Sequence, residues 1–100
     1  MSGMVLQLLS DPKHWTQDAN ARNSKGVKCE LDSPDAQCFC LVGAIYKCYG
    51  TLPGETRYSE IRAKIFDTPT WHKFNYAAVP QFNDNVSYED MIQMVREAGI

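Results

Sequence analysis

Eight consecutive residues, Cys38-Phe39-Cys40-Leu41-Val42-Gly43-Ala44-Ile45, carry no polar side chain. Such a run exposes apolar surface on every side unless other elements cover it, so the fold must be built around it. Ser33-Pro34-Asp35 stands just ahead and has the chemistry of a helix start. Serine suits the N-cap, proline the first helical position, and aspartate the positive end of the helix dipole. The spacing therefore predicts a central helix over about residues 34–49, ending near Gly50. On that helix Cys38, Val42, Ile45 and Tyr49 form one stripe, and Ala36, Cys40, Gly43 and Ala44 a second one of small side chains. Gly43 costs about 1 kcal/mol of helix propensity relative to alanine. Its presence predicts another element in close approach.

Other elements arrange themselves around that spine. Val5, Leu8 and Leu9 share one stripe of a first helix over about residues 1–10, which Asp11-Pro12 stops. Trp15-Thr16-Gln17 and Val27-Lys28-Cys29 are short β-prone runs flanking a turn-rich stretch, so a small β-hairpin is expected over about residues 15–31. Tyr58, Ile61, Ile65 and Phe66 predict a helix closed by Asp67-Thr68-Pro69. Residues 70–86 read as an irregular aromatic-rich stretch with an Asn83-Asp84-Asn85 turn. Ser87, with Asp90 three positions on, opens a last helix whose buried face is Met91, Met94, Val95 and Ala98. The class is α+β, a small unit over residues 1–100 with about four helices and one hairpin. With 100 residues, 44% of them hydrophobic, the chain has the length and apolar content for one modest core rather than for disorder.

Charge and cysteine content narrow the function classes. The formal net charge of −2 lacks the basic excess of a typical nucleic-acid binder. Met4–Leu9 is apolar but too short for a membrane span and has no basic residues ahead of it for an export signal. The expectation is a cytoplasmic protein with reduced thiols and no membrane partner. Cys29, Cys38, Cys40 and Cys48 lack the paired spacing of a zinc site. On a helix Cys38 and Cys40 would point about 200° apart, so no metal is expected, and no cofactor. Glycine-rich phosphate loops are also missing. His14 and His72 are read as structural or surface residues.

What a hydrophobic core does not demand is a polar and aromatic set: Trp15, Gln17, Arg22, Asn83 and Asp84. These are expected to meet in space, with Arg22 pairing Asp84, as a structural clasp or as a binding site. Trp71 and Phe82 join them as candidate contact residues, because the stretch from Trp71 to Phe82 holds more rings than a loop requires.

In order along the chain, Trp15-Thr16-Gln17, Ala21-Arg22 with Gly26, Cys40-Leu41 with Gly43-Ala44, and Phe82-Asn83-Asp84 form a series. It resembles an uncharacterised family of small bacterial and phage proteins with a W-T-Q…A-R-x-x-x-G…W-C-L-x-G-A…W-N-D pattern, over about Val5 to Ala98. Phe39 and Phe82 stand where that family often has tryptophan, keeping a ring and losing an indole N–H. The resemblance implies a phage or mobile-element setting. The leading expectation is a non-enzymatic protein that binds a host protein or complex, an inhibitor of a host antiviral defence complex being one form. Sequestration of a nucleotide signal through Trp15, Arg22 and Asn83 is the alternative. A small hydrolase using Cys40 or Asp84 is the weaker third.

Overall fold

A computed structural model describes residues 3–100. Helix α1 spans Met4–Leu9, and a single 3-10 turn follows at Pro12–His14. Three short strands come next: β1 (Ala21–Asn23), β2 (Lys28–Cys29) and β3 (Ala36–Phe39). The helices α2 (Leu41–Tyr49), α3 (Thr56–Phe66), α4 (Pro69–Phe74), α5 (Val79–Asn85) and α6 (Tyr88–Ala98) follow. The α+β class expected from the sequence is what the chain adopts, with six α-helices among the described residues rather than about four.

The sheet is antiparallel in the order β2-β1-β3, with Ala21 opposite Cys29 on one side and Phe39 on the other. The expected hairpin is therefore present but narrower, between residues 21 and 29. Trp15-Thr16-Gln17 is not one of its arms. It forms a strap that lies along the sheet, with a parallel bridge between Trp15 and Phe39.

The central helix starts later than its sequence signals suggest. Ser33 Oγ accepts from the Asp35 N–H (3.2 Å) and Ser33 O from the Ala36 N–H (3.1 Å), so the Ser-Pro-Asp signal closes a turn instead of opening a helix. Residues 36–39 then run extended because β1 offers a pairing edge there. Cys40 is the N-cap, its Sγ accepting from the Gly43 N–H at 3.4 Å. From Leu41 to Ile45 every residue is buried, so the core does centre on this segment. The close approach at Gly43 is made by a loop: a β-carbon there would lie 2.5 Å from the Asn20 carbonyl oxygen. That same carbonyl accepts from the Cys40 N–H at 3.1 Å.

Residues 70–86, expected to be irregular, form α4 and α5. Thr68 caps α4 through its hydroxyl, which accepts from the Trp71 N–H at 3.1 Å, and Pro69 takes the first helical position. The tripeptide read as the end of α3 is thus also the start of α4. Asn83-Asp84-Asn85 is the last turn of α5. Helix α6 follows the sequence closely: Ser87 Oγ accepts from the Asp90 N–H, Met91, Met94 and Val95 are buried, and Gly99 ends the helix at φ 71°. Among the described residues, no helix is long and apolar enough to cross a membrane.

Candidate functional site

The strap from Trp15 to Asp18 crosses over the end of α5 and the start of α2, and one side chain beneath it organises the crossing. Asn83 is fully buried. Its Oδ1 accepts from the Trp15 indole N–H at 2.7 Å and from the Leu41 backbone N–H at 3.0 Å. Its Nδ2 donates to Thr16 O at 3.1 Å and to Asp84 Oδ1 at 3.0 Å. A primary amide has two donor and two acceptor positions, and here all are filled. Burial of so polar a group is tolerated because nothing on it is left unpaired. The bond to Leu41 also satisfies the first free amide of α2, so Asn83 helps start the central helix.

Gln17 closes the strap from above. Its Nε2 donates to Asn83 O and Val86 O, each at 3.0 Å, capturing carbonyls that the end of α5 leaves free. Asp84 Oδ1 also accepts from the Asp18 N–H at 2.9 Å, which holds Asp18 at φ 62°. Aspartate is among the residue types that tolerate this left-handed region. The Trp15 ring lies 5.9 Å from that of Tyr88, whose hydroxyl donates to Leu9 O at 2.7 Å. Trp15, Gln17, Asn83 and Asp84 thus meet across more than sixty residues of chain, as their types suggested.

Arg22 reaches the same network by another route. It donates through Nε to Thr16 Oγ1 (2.9 Å), through Nη2 to Gln17 O (3.3 Å) and through Nη1 to Gly26 O (3.0 Å). The expected direct pair with Asp84 is replaced by these bonds. The reason is geometric, since the strap lies between them and offers its own acceptors. Thr16 and Asp18 are the members that sequence reasoning missed. Their contributions are largely backbone groups, which carry no residue-type signal.

Trp71 and Phe82 sit elsewhere and do not present a contact surface. Phe82 is fully buried and Trp71 nearly so. Trp71 stacks on Phe66 at 4.6 Å and packs against Phe82 at 5.2 Å, while Phe74 and Tyr76 meet Phe82 edge-on at 6.0 and 6.2 Å. These rings are the side of the core under α4 and α5. The excess of aromatics is used for packing.

Beside the strap opens a cleft of about 560 Å³, walled by Asp18, Asn20, Lys28, Glu30, Cys40 and Asp84 among others. Burial pushes the Cys40 thiol pKa up, against the lowering effect of the Gly43 and Val42 amides, and the Asp84 charge raises it further. Cys40 is accordingly a neutral thiol near pH 7, which is the weaker nucleophile. All four cysteines are free. The histidines stand apart from it: His14 Nδ1 lies 3.0 Å from Leu8 O, and His72 is exposed on α4.

A strap pinned to one buried asparagine, with tryptophan, glutamine and arginine around it, ties the region of Trp15 to the region of Asn83. A profile described as a family of unknown function, DUF6197, matches residues 4–99. The chain belongs to DUF6197. Neither a curated protein nor a solved structure matches it significantly. In this DUF6197 member the Trp-Thr-Gln and Asn-Asp elements are the two halves of one hydrogen-bonded clasp.

Proposed function

We propose that this DUF6197 protein is a non-enzymatic interaction protein that acts by binding a host protein in a phage or prophage setting, in the cytoplasm of the bacterial host. Inhibition of a host antiviral defence complex is the form of that activity the setting favours. The observation carrying this reading is that Trp15, Gln17 and Asn83 direct their donors and acceptors inward. Side chains committed to holding a fold are poor reagents, whereas the rigid surface they support is a good binding platform. The raised Cys40 pKa points the same way, away from a thiolate mechanism.

A tagged chain expressed in a bacterial host, followed by mass spectrometry and reconstitution from purified components, tests this. The expected result is a stoichiometric complex with one host polypeptide on a sizing column. A chain that elutes alone with every captured candidate would overturn it.

One observation favours a second reading, sequestration of a small nucleotide-type ligand. The cleft of about 560 Å³ is within the usual size of ligand sites and has charged walls of both signs. Its wall has no aromatic ring on which a base would stack. A saturable rise in melting temperature with nucleotides would favour this reading over protein binding.

A further inference from the structure

We draw no further inference here: the strongest candidate, the cleft beside the strap walled by Asp18, Lys28, Glu30 and Asp84, belongs to the site already described, and no buried unpartnered polar side chain among the described residues points from its acidic wall to a ligand.

Discussion

Replacing Trp15 with phenylalanine would keep a ring beside Tyr88 and remove the indole N–H that reaches Asn83. Asn83 Oδ1 would still accept from the Leu41 N–H, so the expected cost is about 1–2 kcal/mol, the worth of one buried bond plus some packing. Chemical denaturation of the single variant measures it. Gly43→Ala should cost a comparable or larger amount, about 1–3 kcal/mol. Its new β-carbon would meet the Asn20 carbonyl, a backbone atom already bonded to the Cys40 N–H and unable to swing aside. A Gly43→Ala protein with unchanged melting temperature would contradict that geometry. At this scale much of the site was legible in the sequence. Trp15, Gln17, Asn83 and Asp84 stood out because no hydrophobic core requires them. Arg22 joins this network through Thr16 and Gln17 rather than through Asp84, since side-chain type does not reveal where a backbone strap passes. Trp71 and Phe82 belong to the core, and aromatic content alone does not separate a packed cluster from an exposed one.

Elements were less legible than residues wherever they were short. Helices α4 and α5 run to six and seven residues, too few for an apolar period to repeat. The start of α2 is not legible locally because Ser33-Pro34-Asp35 serves a turn as well as a helix, and the choice depends on the pairing edge of β1. Long amphipathic α6, with its serine cap and terminal glycine, was read without difficulty. Helix α4 is tied to α6 by Glu97. One of its carboxylate oxygens accepts from the Thr70 N–H at 3.0 Å, and the other from the Thr70 hydroxyl (3.0 Å) and Gln93 Nε2 (3.1 Å). Desolvation raises the Glu97 pKa, but these hydrogen bonds outweigh it and the net shift is downward. A carboxyl group with a depressed folded pKa contributes stability that is present above its unfolded pKa and lost as pH falls through the folded value. Wild type should therefore exceed Glu97→Gln in unfolding free energy at pH 7, and the gap should close below about pH 4. Urea titrations of both proteins across that range check the sign. A gap that widens in acid would contradict it.

For the molecule as a whole, the clasp links parts of the chain that local forces would leave separate. Strap, central helix and α5 meet at Asn83, which bonds to Trp15, Thr16, Leu41 and Asp84 at once. Closing contacts of that sequence separation is entropically costly, and a fully satisfied polar network makes the closed arrangement specific as well as stable. Arg22 extends the same network to the hairpin turn through its bond to Gly26 O. A clasp and a ligand site respond differently to substitution. Substitutions within a clasp lower stability, whereas substitutions within a ligand site leave the fold nearly unchanged. Asn83→Ala discriminates most directly, because it leaves the Trp15 and Leu41 donors and the Thr16 carbonyl short of a buried partner, each at a cost of about 1–3 kcal/mol. The decisive measurement is the equilibrium unfolding free energy of Asn83→Ala against wild type in urea at pH 7. The expected result is a loss of at least about 3 kcal/mol with a cooperative transition. A variant within about 0.5 kcal/mol of wild type, the range of an ordinary surface substitution, would contradict it.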